Sequence, residues 1–447
     1  MSDELLVIAD RIIAQAREGE ELEVVVSRGT STDIRVYDGQ VEHLASATSA
    51  GIGVRVLTGQ RQGFASAGSL DDDVVADTLA DARDNAAFVS EDEWLGLAGP
   101  DGVAVPDLDL YRDGAASMST EAKIDLAMAL ERAVRAADGR ITGIDASDYF
   151  DGVSDSVVVS TAGVRTIDRS SSCNVSVSCV AEGDGDTQTG FGFSVGRAPD
   201  ELDLDRAAAD AAQRATRLLG AIQPSSGRVT VVLDPYVTAQ FLSIIGSTLS
   251  GSAVQKGRSL FADRLGDEVA APGFTLIDDA TNPLAWTASH TDREGLASRR
   301  NVLIDSGRLE QFVHNSYSAR RAGTTSTANA VGGIDGPPGV ACRALSLRPG
   351  VKDQAELLAE VGDGVLISSV KGLHSGVNAV SGDFSTGAEG LRIVDGQLGQ
   401  PLREFTIAST LQRMLLDVAA IGSDLEWLPS RSAGLSLVVR DVTVSGS

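Results

Sequence analysis

Histidine and cysteine are scarce in this chain of 447 residues, which has 4 His and 3 Cys. No two of the histidines (His43, His290, His314, His374) are close in sequence, so no local histidine-based metal motif exists. The cysteines, Cys173, Cys179 and Cys342, are odd in number and scattered, as expected of a protein kept in a reducing cytosol. Cys173 and Cys179 lie on an alternating run, where six residues span roughly 20 Å. A disulfide needs Cα atoms within about 7 Å. Positive charge is also in deficit, with 37 Lys+Arg against 63 Asp+Glu and a net charge of −26. A chain this acidic repels phosphate backbones, and no basic patch offsets the repulsion, so a direct nucleic-acid role is disfavoured. No apolar run approaches the roughly 18–20 residues of a membrane span. The N-terminus lacks the basic flank of a secretory signal. A cytoplasmic protein with neither membrane nor nucleic acid as partner is expected.

What is present is an ordinary globular composition, 43% hydrophobic and 22% charged. The length allows two or three domains. Leu5, Ile8, Ile12 and Ala16 recur at helical spacing. Leu22 to Val26 and Ile34 to Tyr37 read as strands, with Asp38-Gly39 as a hairpin turn, and Gly53 to Leu57 as another strand before Thr58-Gly59. Ser69 precedes an acidic first turn, Asp71-Asp72-Asp73, and an apolar stripe, which predicts a capped helix.

Residues 90–118 form a polar connector, and Ile124, Ala127, Leu130 and Val134 form one face of a second helix. Strand-like alternation follows over Val157–Val159, Val164–Ile167, Cys173–Cys179 and Phe191–Val195, with a turn at Gly183-Asp184-Gly185-Asp186. A long helix then runs from Leu204 to Leu218. Hairpins followed by a helix thus occur twice, which suggests a structural repeat.

After the linker Gln223-Pro224-Ser225-Ser226-Gly227 come one strand, one helix (about Val237 to Leu249) and many short strands. The expected fold class is α+β: N-terminal layers of hairpins and long helices, then a β-rich C-terminal domain. The expected division is 1–90, 91–222 and 223–447.

The C-terminal part carries an ordered set of short motifs. Lys256-Gly257 is followed by Ser259, Phe261 and Gly266, then Ala271-Pro272-Gly273, Ile277-Asp278-Asp279 and Asp292-x-Glu294-Gly295. Next come Asn301 to Ile304, Tyr317-Ser318-Ala319-Arg320, Gly376 to Asp383, and Ile421 to Leu425. In this order they resemble the TldD/PmbA family of metallopeptidase-complex proteins. The resemblance implies two kinds of subunit. The TldD type carries His-Glu-x-x-x-His on the helix after the first strand of this domain, and a Cys near the C-terminus. Such a set holds a metal such as zinc, with the Glu taking a proton from the metal-bound water. Here the matching stretch reads Leu242-Ser243-Ile244-Ile245-Gly246-Ser247. Leu242 and Ser247 stand for the histidines and Ser243 for the glutamate, and Glu426 to Arg431 supplies no Cys.

The resemblance therefore implies the PmbA (TldE) type. Such a subunit has no metal or other cofactor of its own, no catalytic residue, and a TldD-like partner that binds zinc and cleaves peptides or unfolded proteins. Val237, Phe241, Ile245 and Leu249 form the core stripe of the helix; Leu242 and Ser247 are off that stripe, and the resemblance implies that they face the cavity. His290, Asp292, Glu294, Tyr317, Arg320, Gly382 and Asp383 are the candidate peptide-cleft residues. The glycine-rich loop Gly332 to Gly339 lacks the Lys-Ser/Thr of a phosphate loop and is a candidate lining of the substrate path. Two alternatives stay open. One is a peptide-binding or scaffold homodimer without a protease partner. The other is an independent hydrolase using His290 with Asp292 or Glu294.

Overall fold

In the computed structural model, which describes residues 2–183 and 185–446, Asp38 and Gly39 both adopt positive φ, 48° and 70°. This is the backbone of a two-residue turn whose twist matches that of the strands it joins. It connects β1 (Glu20–Tyr37) to β2 (Gln40–Thr58), and a second such turn at Gly59 and Gln60 leads into β3 (Arg61–Ala67). The expected strands at Leu22–Val26 and Ile34–Tyr37 are thus one strand of 18 residues. The polar stretch between them, Ser27 to Asp33, hides the alternation. Its backbone nonetheless pairs with β2 on one side and with β4 (Ile141–Ser160) on the other.

β4 continues into β5 (Arg165–Gly183) and β6 (Asp186–Gly196). Asp184, within the expected turn between β5 and β6, lies outside the described residues. The six strands form one antiparallel sheet in the order β3-β2-β1-β4-β5-β6. Segments 1–90 and 91–222 therefore contribute three strands each to a common sheet.

Four longer helices cover one face of that sheet. They are α1 (Ser2–Ile13), α2 (Asp72–Ala87), α3 (Thr120–Ala137) and α4 (Leu204–Thr216). Helix–three strands–helix occurs twice, which realises the repeat. Leu22, Val24 and Val26 pack under α1 and α2, and Ile34 and Val36 under α3. These residues share one parity along β1 and so one face. Ser69 is not the cap of α2: Asp71 is the N-cap, and the Ser69 hydroxyl donates to the Asp71 carboxylate instead.

The C-terminal part begins with β7 (Gly227–Leu233). This strand pairs in parallel with Gly364–Lys371 and antiparallel with Leu437–Ser445. The strands Asp383–Val394 and Gln397–Thr410 extend the sheet, and pairing of Thr406 to Ala408 with Thr443 to Ser445 closes it on itself. Helix α5 (Pro235–Thr248) follows β7; the Asp234 side chain accepts from the Tyr236 N–H, and Pro235 opens the first turn. A smaller sheet orders Arg308–Leu309, Arg300–Asp305, Leu276–Asp279 and Leu345–Leu347. Helix makes up 25% of residues and strand 41%, a mixed α and β fold with sheets in the N-terminal region and a β-rich C-terminal region. Among the described residues no helix is long and apolar enough to cross a membrane.

The uncovered face of the N-terminal sheet meets the C-terminal part. Glu23 on β1 stands opposite Arg55 on β2 and is 2% exposed. Its carboxylate accepts from Arg55 Nη2 at 2.8 Å and from Arg293 Nη1 at 3.1 Å, and both guanidiniums are buried. Removing one partner from a buried pair leaves the others uncompensated in a poorly solvated place. Glu23→Gln is expected to lower unfolding stability by about 3 to 5 kcal/mol, measured by urea denaturation. A loss within experimental error would show that the seam does not depend on this charge.

Candidate functional site

Along β1, Glu23, Val25 and Ser27 point away from the helices. In register with them across β4 and β5 lie Ser156 opposite Ser27, Asp168 opposite Ser156, and Thr166 opposite Val158. Ser154 completes this floor. Over it the C-terminal part places Thr287, Ser289, Thr291, Asp292, Arg293 and Arg343, with Ala330 to Ile334 at one side and Arg431 at another. They enclose a cavity of about 440 Å³, a size ordinary for a ligand site. Ser27, Ser154, Ser156 and Thr166 make no side-chain hydrogen bond among the described residues, so their hydroxyls are free to donate and accept.

The roof is rigid. The Asp278 carboxylate accepts from the Arg343 N–H (2.7 Å), the Ala344 N–H (2.6 Å) and Asn329 Nδ2 (2.6 Å). The Arg343 guanidinium donates to Ser298 Oγ (3.0 Å), the Ala328 carbonyl (3.0 Å), the Thr291 carbonyl (2.8 Å) and Ser289 Oγ. Arg293 Nε donates to the Gly333 carbonyl at 2.8 Å, which fixes the glycine-rich loop as a wall of the cavity.

Of the expected cleft residues only Asp292 lines this cavity. Its carboxylate accepts from the N–H groups of Glu294 (2.9 Å), Leu296 (3.0 Å) and Ala330 (3.0 Å). Glu294 points the other way and accepts from the Ser316 N–H (2.9 Å) and the Ser316 hydroxyl (2.5 Å). His290 stands behind Asp168: Nδ1 lies 3.0 Å from Asp168 Oδ1 and Nε2 2.9 Å from the Leu108 carbonyl. Both ring nitrogens are committed, so the alternative hydrolase using His290 with Asp292 or Glu294 finds no free ring nitrogen in this arrangement.

Tyr317 and Arg320 are clamps rather than cleft residues. The Tyr317 hydroxyl donates to Asp92 (2.8 Å), and Arg320 donates to the carbonyls of Trp94 (2.9 Å), Leu97 (3.4 Å) and Gly96 (2.6 Å). Both hold the connector. Gly382, with φ of 86°, and Asp383 form the turn into the strand Asp383–Val394, and neither lines the cavity. Sequence reasoning missed Ser27, Ser154, Ser156, Thr166, Asp168 and Arg343. For all but Arg343 the signal was a run of small polar residues on the alternate positions of three strands.

The helix that matches the metal-motif stretch lies beside this cavity. Ser243 Oγ is 2.9 Å from Ser432 Oγ, and Ser432 follows the wall residue Arg431. Ser247 is exposed and its hydroxyl donates to the Ile244 carbonyl at 2.7 Å. Leu242 does not face a cavity. It is 0% exposed and packs in the main core with Phe241, Ile245 and Leu249, because at 100° per residue positions 241, 242, 245 and 249 share one broad face. Two neutral hydroxyls and a core leucine do not fit a zinc ion. Cys342 reaches the same helix from its buried side, its Sγ 3.6 Å from the Gly246 carbonyl, and burial pushes that thiol well up. Among the described residues no group of three His, Cys, Asp or Glu side chains is arranged to hold a metal.

Two predictions follow from this geometry. Leu242→His puts a polar ring into the core and is expected to cost about 2 to 5 kcal/mol, read as a lower denaturation midpoint. Metal binding by that variant without loss of stability would contradict the placement. Burial, with Glu294 nearby, pushes Asp292 up to about 7. A carboxyl raised in the folded state contributes stability while protonated, and loses it as pH rises from its unfolded value through its folded one. Relative to Asp292→Asn, the wild-type chain is therefore expected to lose on the order of 2 kcal/mol between pH 5 and pH 8. Urea midpoints of both proteins at the two pH values check this; a pH-independent difference rules it out.

Comparison with known proteins finds three matching stretches. The descriptions "PmbA/TldA metallopeptidase domain 1", "central domain" and "C-terminal domain" match residues 22–86, 113–219 and 226–446. Metalloprotease PmbA of Escherichia coli O157:H7 is 30% identical over 429 residues, covering 95% of this chain and 92% of that protein. A metalloprotease TldD homologue of Haemophilus influenzae is 28% identical over 308 residues, covering 65% and 62%. The crystal structure of TldE from Thermococcus kodakarensis has the same fold, with a TM-score of 0.90 at 20% identity over 99% of each chain.

Proposed function

Because the chain belongs to the PmbA/TldD metallopeptidase family, and to its PmbA (TldE) type, we propose that it is the non-catalytic subunit of a cytoplasmic peptidase assembly. It holds an extended peptide or unfolded protein segment in the cavity between its sheet and its C-terminal part. The cleavage chemistry belongs to a TldD-like partner that carries His-Glu-x-x-x-His and binds zinc. This chain holds no metal of its own. The observation that carries the reading is a pairing of opposites: an open, hydroxyl-lined cavity stands beside a helix that offers no ligating side chain at positions 242, 243 and 247. Free hydroxyls both donate and accept, so they suit peptide N–H and C=O groups whatever the side chains. The reading of a cytoplasmic location is supported by three cysteines that are all free and buried.

Co-expression with a TldD-type subunit tests it. The chain alone is expected to cleave no unfolded peptide and to purify without stoichiometric metal, while the pair cleaves. Ser156→Trp fills the cavity floor and is expected to reduce cleavage by the pair by about tenfold or more, with unchanged thermal melting. Stoichiometric metal and peptidase activity in the isolated chain would sink the assignment.

A further inference from the structure

The charged groups of the cavity are not equally engaged. Asp292 accepts from three backbone N–H groups. Asp168 faces the His290 ring and accepts from the His290 N–H at 3.2 Å. Arg293 is paired with Glu23. Arg343 is buried, and its guanidinium donates to hydroxyls and carbonyls rather than to a carboxylate. Arg431 differs from all of these. It is exposed where it lines the cavity, and among the described residues its side chain makes no hydrogen bond and no ion pair. The five N–H donors of its guanidinium are left for a ligand. Its base is nonetheless fixed. The Arg431 carbonyl accepts from the Leu345 N–H at 2.8 Å, and the next residue, Ser432, is fully buried with its hydroxyl against Ser243. Burial pulls the Arg343 guanidinium below its ordinary value, and the nearby charge of Arg431 adds to that. An anion at this end of the cavity relieves the repulsion between the two cations.

We propose that Arg431 recognises a carboxylate in this cavity, and that the carboxylate is the one at the C-terminus of a bound peptide. The inference rests on the reading of the cavity as a peptide site. A carboxylate accepts and does not donate, and a guanidinium fork meets it with two parallel N–H···O bonds. The floor hydroxyls of Ser27, Ser154, Ser156 and Thr166 suit main chain whatever its side chains. The α-carboxylate is the anionic group that belongs to the main chain itself, so it extends the same indifference to sequence. A cavity of about 440 Å³ takes only a short segment, which an anchored chain end supplies. The charge of the whole chain favours a peptide over a small free anion. At a net −26 its field repels anions, and a carboxylate carried on a peptide brings further contacts along the floor to offset that repulsion.

Fluorescence anisotropy of the full chain with short alanine peptides, labelled at the N-terminus, provides the test. The probes end in a free carboxylate, in an amide, or in an amide with one internal glutamate. The free acid is expected to bind about tenfold or more tighter than the plain amide. Arg431→Gln should abolish that difference while leaving the affinity for the amide and the melting temperature unchanged, since the side chain is exposed and holds no partner. Arg431→Lys should retain part of the difference, as a charge without the fork. Equal binding of acid and amide overturns the proposal and leaves the peptide reading standing. A preference for the acid that survives Arg431→Gln overturns the assignment to Arg431. An amide with glutamate that binds as tightly as the acid overturns the choice of the C-terminus over a side chain. Binding of none of the probes overturns the peptide reading, and this inference with it.

Discussion

The buried carboxylate of Glu23, held between Arg55 of its own sheet and Arg293 of the C-terminal part, is the constraint around which the two halves are arranged. Three charged groups removed from water must satisfy one another, and this geometry admits one seating of the loop Asp292 to Gly295. That seating has consequences on each side of Arg293. Asp292 gathers three backbone N–H groups and shapes the loop. Glu294 receives the first turn of the helix Ser316–Ala322. From that helix Arg320 reaches back to the connector carbonyls. The seam is thus a chain of committed polar groups, and the cavity is the part of it left open.

The cavity shares Asp292 and Arg293 with the seam but takes its floor from the hydroxyls of the sheet. Arg293, Arg343 and Asp292 are spent on internal partners, whereas among the described residues the floor hydroxyls and the wall guanidinium of Arg431 make no side-chain hydrogen bond. Charge selects for opposite charge in a ligand, whereas a hydroxyl both donates and accepts. The helix Pro235–Thr248 keeps its place beside this cavity because its buried face is core. Phe241, Leu242, Ile245 and Leu249 pack against the strands of the closed sheet. Its exposed side needs no ligand to hold it there, and Ser243 and Ser247 are accommodated without strain.

Much of the fold was legible in the sequence because local signals sufficed. Asp38-Gly39 and Thr58-Gly59 marked hairpins, and the spacing of Ile124, Ala127, Leu130 and Val134 marked a helix. The long strand β1 was read as two because Ser27 to Asp33 has no apolar alternation; its continuity comes from pairing on both edges, which no window of sequence contains. The functional residues were harder still. His290, Tyr317 and Arg320 were conspicuous as chemical types, yet the structure commits each of them to holding the connector or its neighbours. The hydroxyl floor escaped notice because single serines on strands are commonplace until register brings three strands together.

By itself the sequence determined the class of the fold, the family pattern of the C-terminal part, and the presence of Leu242, Ser243 and Ser247, none of them His or Glu, in the first helix of that part. Those are properties of residue identity and short-range order. Only the tertiary structure decided that Leu242 faces the core, that Asp292 belongs to the cavity while Glu294 does not, and that Arg343 is spent on internal partners while Arg431 is not. Each of these depends on which residues distant in the chain approach a given side chain. That is set by strand register and by the pairing of buried charge, and neither can be counted along the sequence.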